Sequence, residues 1–106
     1  MNDEIEPIFV GDIDDIELGS VENFEYEDNN FAIFRLVNGF FSTQGNCNCD
    51  ERAPLSEAEV EDEELECVSC GNTYSIVSGD CLSEPELVGL KTYDISEEDG
   101  SIYLNI

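Results

Sequence analysis

Two short cysteine pairs constrain this 106-residue chain more than any other feature: Cys47-Asn48-Cys49 and Cys67-Val68-Ser69-Cys70, with seventeen residues between them. Thiols this dense either form disulfides or hold metal, and C-x-C and C-x-x-C spacings point to metal. Two such pairs on a strand-loop-strand unit can bring four sulfurs to one point, where thiolates select zinc, iron or an iron–sulfur cluster. A zinc ribbon most often uses C-x-x-C twice, so the C-x-C arm is less usual for zinc. Cys81 stands apart and reads as a small thiol outside the ligand set.

The charge balance narrows the function classes. The chain carries 27 acidic residues against Arg35, Arg52 and Lys91, has no histidine, and has a formal net charge of -24. A fold of this mass exposes roughly 5,900 Å², which leaves one net negative charge per ~250 Å². Self-repulsion is then felt at low salt, where the Debye length is ~10 Å, and largely screened at 1 M, where it is ~3 Å. Such a surface suits a salt-rich cytoplasm or docking on basic partners. It does not suit nucleic acid, since three cations make no basic face for phosphates. Without histidine there is no histidine-based catalytic triad, and no G-x-x-x-x-G-K-[ST] phosphate loop is present. No run of eighteen apolar residues predicts a membrane span. The opening Met1-Asn2-Asp3-Glu4 lacks the basic and apolar regions of a signal peptide. A cytoplasmic protein is expected, and there the five cysteines are thiols or ligands rather than disulfides. With 41% hydrophobic residues in strand-like blocks, the acidity does not imply disorder.

The length fits one domain, residues 1–106. Residues 1–7 read as a polar, frayed start, and Ile8-Phe9-Val10 as a short strand. Asp12–Gly19 reads as a turn-rich connection, followed by an edge-like strand with Val21, Phe24 and Tyr26. Asp28-Asn29-Asn30 is expected to turn the chain into an apolar strand, Phe31–Leu36. Asn38-Gly39 then suits a tight hairpin returning through Phe40–Thr43. After the second cysteine pair, strands are expected at Thr73–Val77, Leu90–Ile95 and Ser101–Ile106, with turns at Ser78-Gly79-Asp80 and Glu97–Gly100. Many short strands with regular turn signals predict an all-β antiparallel sandwich or barrel. Helix is limited to a short turn near Ser56–Glu64. Residues 50–66 hold nine acidic side chains and one arginine. They read as a solvated loop too charged to be core, or as a docking face for a basic partner.

The residues around the cysteines carry a resemblance. Ala53-Pro54-Leu55-Ser56 follows the first pair, and the second continues as Cys67-Val68-Ser69-Cys70-Gly71-Asn72-Thr73-Tyr74. Gly79 and Pro85 come after it, and Phe31-Ala32-Ile33-Phe34-Arg35 through Gly39-Phe40-Phe41 precedes the first. Together these resemble the Rieske-type ferredoxin family from about Ile8 to Ile106. That family carries C-x-H, often A-P-L-S, then C-x-x-H-G-x-x-F, a following glycine and a proline loop over the cluster. Here Cys49 and Cys70 stand at both histidine positions, while Cys47 and Cys67 match the cysteine positions, and Tyr74 replaces Phe.

The resemblance implies a Rieske-like antiparallel fold with a small cluster-binding subdomain over about 43–89. It implies a [2Fe–2S] cluster held by Cys47, Cys49, Cys67 and Cys70, and a one-electron carrier rather than an enzyme. Its partners would be a flavin reductase and an oxygenase-type acceptor, with the chain acting as a monomer. An all-thiolate site would make it a low-potential carrier. One alternative keeps the four ligands but gives them a single Zn or Fe, as in a rubredoxin-like or non-redox module, since tetrahedral S₄ suits both metals. A cysteine reaches less far than a histidine, which favours the single metal. Another alternative is the small subunit of a nitrite reductase, whose members typically lack cluster ligands; four thiols at the ligand positions disfavour it.

Overall fold

The computed structural model describes residues 7–49 and 51–105. Nine strands run β1 (Ile8–Asp12), β2 (Val21–Tyr26), β3 (Asn29–Leu36), β4 (Gly39–Gln44), β5 (Glu59–Glu61), β6 (Glu64–Glu66), β7 (Thr73–Ser75), β8 (Thr92–Glu98) and β9 (Ser101–Asn105). Six form one antiparallel sheet in the order β1-β9-β8-β4-β3-β2, and three form a small sheet in the order β5-β6-β7. Helix among the described residues is confined to two 3₁₀ turns, Ile13–Asp15 and Leu55–Glu57. The all-β, antiparallel expectation holds.

The strand β3 is the hinge of the architecture. Its Phe31, Ala32, Ile33 and Phe34 are all buried. Side chains alternate between the faces of a strand, so the apolar run serves two cores. Phe31 and Ile33 pack with Ile16, Ile102 and Leu104 inside the large sheet. Ala32, Phe34 and Leu36 pack with Cys47, Leu55, Leu65, Cys67, Tyr74 and Ile76. A continuous apolar strand is what burial on both faces requires. Arg35, next on the same strand, donates from Nη1 to the carbonyls of Ile13 and Ile16 at 3.0 and 2.9 Å. It thereby clamps the first 3₁₀ turn onto the sheet.

Several expected boundaries move. The first hairpin turns at Glu27-Asp28, with φ of 51° and 69°, and Asn29 and Asn30 already belong to β3. The turn expected at Asp28-Asn29-Asn30 comes earlier because Tyr26 pairs with Asn29, which leaves Glu27-Asp28 as the two turn residues. Likewise Leu36 pairs with Gly39, so the second turn is Val37-Asn38 rather than Asn38-Gly39. The Thr73–Val77 strand ends at Ser75, where the Gly79 N–H bonds back to the Ser75 carbonyl at 2.8 Å. The strand expected from Leu90 begins at Thr92, because the Leu90 N–H is taken by the Gly79 carbonyl. The second half of the acidic run is not a loop: Glu59–Glu61 and Glu64–Glu66 form the β5–β6 hairpin, and Leu55 and Leu65 in the run are fully buried. Of residues 1–7, expected as a frayed start, residues 1–6 lie outside the described residues, as does Ile106.

Candidate metal centre

Three loops meet at one end of the small sheet. The first leaves β4 through Gly45, which lies against Asn30; a Cβ there would stand 2.6 Å from the Asn30 carbonyl carbon. Only glycine allows that approach. The loop then closes on itself, with the Cys47 N–H to the Ala53 carbonyl at 2.8 Å and the Arg52 N–H to the Cys49 carbonyl at 3.0 Å. The second loop joins β6 to β7. The Gly71 N–H bonds to the Cys67 carbonyl and the Cys67 N–H to the Asn72 carbonyl, both at 3.0 Å. The third loop, after Cys81, is tied to the first: Asn48 Nδ2 donates to the Gly89 carbonyl at 3.0 Å. Ser69 Oγ donates to Glu51 Oε1 at 2.9 Å and links the first loop to the second.

These loops bring Cys47, Cys49, Cys67 and Cys70 together, with all four Sγ atoms within 4.8 Å of one another. Cys47 Sγ lies 3.7 Å from Cys70 Sγ, and Cys49 Sγ lies 4.0 Å from Cys67 Sγ. The set is graded in depth: Cys47 and Cys67 are buried, Cys49 is half-buried and Cys70 exposed. Cys81 is buried beside Ser83, with its Sγ 3.7 Å from Ser83 Oγ, and does not join the four.

The electrostatics of the thiols do not simply follow that depth. Burial pushes the Cys47 thiol up to about 12. Cys49 is lowered to about 6, chiefly by the Ala53 N–H aimed at its sulfur. The shift favours the thiolate of Cys49, the form that ligates metal. Cys70 is raised as well, chiefly by desolvation of its sulfur among the other thiols, although the residue as a whole is exposed. Tyr74, buried at the back of the site, holds its hydroxyl 3.9 Å from Cys47 Sγ. Its pKa is pushed up, mainly by burial, so it stays protonated and can donate to that sulfur. In the sequence Tyr74 stands out only as a replacement for Phe, and Asn48 does not stand out. The first had a signal in the sequence; the central residue of C-x-C had none.

Four thiolates are the donor set of an all-cysteine [2Fe–2S] centre, so the residues present fit that group. The Rieske [2Fe-2S] domain model matches residues 6–94. The ferredoxin subunit of a 3-phenylpropionate/cinnamic acid dioxygenase from Photorhabdus laumondii is 28% identical over 100 residues, 93% of each chain. Among solved structures, a chain of the complex of reduced oxygenase and oxidized ferredoxin in carbazole 1,9a-dioxygenase superposes with a TM-score of 0.85 at 22% identity. The match covers 93% of this chain and 92% of that one. A chain assigned as the small subunit of an NADH-dependent nitrite reductase from Mycobacterium tuberculosis reaches 0.86 at 19% identity, over 98% and 97%. These two structures speak for the fold alone. The chain belongs to the Rieske [2Fe–2S] domain family, and a [2Fe–2S] cluster is that family's cofactor.

Proposed function

We propose that this chain is a one-electron carrier, a Rieske-type ferredoxin in which Cys47, Cys49, Cys67 and Cys70 all serve as ligands. A [2Fe–2S] cluster supplies reversible one-electron exchange. The observation that carries the ligand assignment is the convergence of these four thiols where the family has two cysteines and two histidines. Their depth supports Cys47 and Cys67 as the inner pair and Cys49 and Cys70 as the outer pair, nearest to a docked partner. By likeness to the dioxygenase ferredoxin subunit, electrons would come from a flavin reductase and pass to an oxygenase-type acceptor. We assign residues 1–106 to one domain with its cluster-binding subdomain at about 43–89, acting as a monomer in the cytoplasm. No helix among the described residues is long and apolar enough to cross a membrane.

Two thiolates in place of two neutral imidazoles make the site more negative, which disfavours taking up an electron. The potential of the loaded protein should fall toward the about -400 mV of plant-type centres, below the about -150 to +300 mV of Rieske centres. It should also be flat between roughly pH 7 and 10, because no imidazole N–H is left to ionise. The test is the iron and acid-labile sulfide content of anaerobically purified protein, followed by a redox titration. Two irons and two sulfides per chain with a low, pH-independent potential are expected. A potential above about -100 mV would remove the four-thiolate assignment.

A further inference from the structure

We infer that the same four sulfurs also form a closed tetrahedral site for one thiophilic divalent ion, Zn(II) above all, which occupies the chain when no cluster has been built. This rests on the ligand set proposed above and adds a second occupant to it. The support is metrical. A tetrahedral ion with metal–sulfur bonds of about 2.3 Å holds its sulfurs about 3.8 Å apart. The distances of 3.7 Å for Cys47–Cys70 and 4.0 Å for Cys49–Cys67 sit on that edge length. Two metals in edge-sharing tetrahedra, with the same bond length, push sulfurs on different metals about 5.3 Å or more apart. No pair here exceeds 4.8 Å. The four sulfurs are thus a compact set, and two of their close separations join an inner thiol to an outer one. Two irons therefore require the outer thiols to move away from the inner ones, whereas one ion fits the Cys47–Cys70 and Cys49–Cys67 edges as they stand.

The chemistry balances without a redox partner. One M(II) ion enters, each ligand thiol still protonated gives its proton to solvent, and no electron moves. Hard, oxygen-seeking ions are excluded by the all-sulfur donor set, and tetrahedral preference selects Zn(II) or Fe(II). Two occupants of one site exclude each other, so zinc loading would block cluster assembly.

The test is a Co(II) titration of the metal-stripped, reduced full-length chain under anaerobic conditions. The expected result is the intense visible absorption of tetrahedral four-thiolate cobalt, saturating at one ion per chain and lost on adding Zn(II). Cys70→Ser, at the exposed corner, should change that spectrum and weaken binding by more than about tenfold, while Cys81→Ser should leave both unchanged. A six-coordinate cobalt spectrum, saturation at two ions, or unaltered binding by Cys70→Ser would overturn the inference. Iron–sulfide reconstitution of the same preparation keeps the two readings apart. If a cluster with two irons and two sulfides forms but Co(II) does not bind tetrahedrally, the single-ion site is wrong and the carrier stands. If one Co(II) binds as described and no cluster forms, the carrier is wrong and the single-ion site stands.

Discussion

The two sheets of this protein are held together by different means. In the six-stranded sheet, β3 is buried on both faces, and Ile102 and Leu104 of β9 fill the interior opposite Phe31 and Ile33. In the three-stranded sheet each strand is three residues long. One row, Val60–Leu65–Tyr74, faces the core. The rows on either side place Glu59 opposite Glu66 and Glu61 opposite Glu64. The large sheet owes its order to apolar burial. The small one has a single apolar row, its docking against β3, and the thiol loops at its end. A region so slightly built by its own side chains depends on what the thiols hold, because metal binding adds directly to folding free energy.

The sharpest way to break this comparison is Gly79→Ala. Gly79 has a φ of 85°, and a Cβ there would fall on the carbonyl oxygen of Leu90. The obstacle is backbone, not a side chain that can swing away. A loss of about 3 kcal/mol or more is expected. It should appear in hydrogen exchange as lost protection in β7 and around Leu90, with β1, β8 and β9 still protected, and in a poor yield of coloured protein. Uniform loss of protection across both sheets would mean that they form one cooperative unit.

Leu65→Ala comes next. Leu65 is 1% exposed and is the centre of the apolar row. Truncation of a buried leucine costs about 2–5 kcal/mol. Ile102→Ala, at the heart of the large sheet, should cost a similar amount. The two should differ in form. In urea, Leu65→Ala should separate the visible absorbance transition from the far-ultraviolet one, while Ile102→Ala should shift both together.

Much of the large sheet was legible in the sequence, for a physical reason. Alternation in Ser101–Ile106 and the apolar run Phe31–Leu36 report burial directly, and burial is what positions those strands. The turns were less legible. Glu27-Asp28 and Asp99-Gly100 both adopt positive φ, yet only the second has the glycine that signals it. In the small sheet β7 was legible but the β5–β6 hairpin was not, because Glu59–Glu66 has the composition of a solvated loop. Only Leu65 and Val60 show that it pairs, and two residues make no period. At the site, the four thiols were legible from their spacing. The Tyr74 hydroxyl near Cys47, the Asn48 brace and the depth order were not, since each depends on loops brought together from distant parts of the chain.

Tyr74→Phe tests whether the core wall of the small sheet also tunes the site. Its hydroxyl is directed at the sulfur of Cys47, an inner thiol. A donor to sulfur favours the more negative, reduced state, so its removal should lower the potential. A hydrogen bond worth ~1 kcal/mol corresponds to about 40 mV for one electron. The ring remains, so stability should change little. An unchanged potential in a well-folded Tyr74→Phe protein would reduce Tyr74 to packing.

The smallest expected effect is also the most local. Acidic residues directly opposite each other occur at Glu59↔Glu66 and Glu61↔Glu64 in the small sheet. Among the paired positions of the large sheet, acids face uncharged residues instead: Glu22 faces Ile33, Glu25 faces Asn30, Asp94 faces Asn105 and Glu97 faces Ile102. Like charges directly opposite cost roughly 0.2–1 kcal/mol per pair. At these distances the repulsion survives the ~10 Å screening length of 0.1 M salt and weakens at the ~3 Å length of 1 M. Raising salt should therefore protect the amides of β5 and β6 more than those of β8 and β9. Replacing all four glutamates with glutamine should raise low-salt protection in the small sheet and erase the difference. If added salt protects both sheets equally, in the natural chain and the glutamine variant alike, then the net charge of -24 acts on the molecule as a whole. The facing glutamates would then carry no special share of its salt dependence.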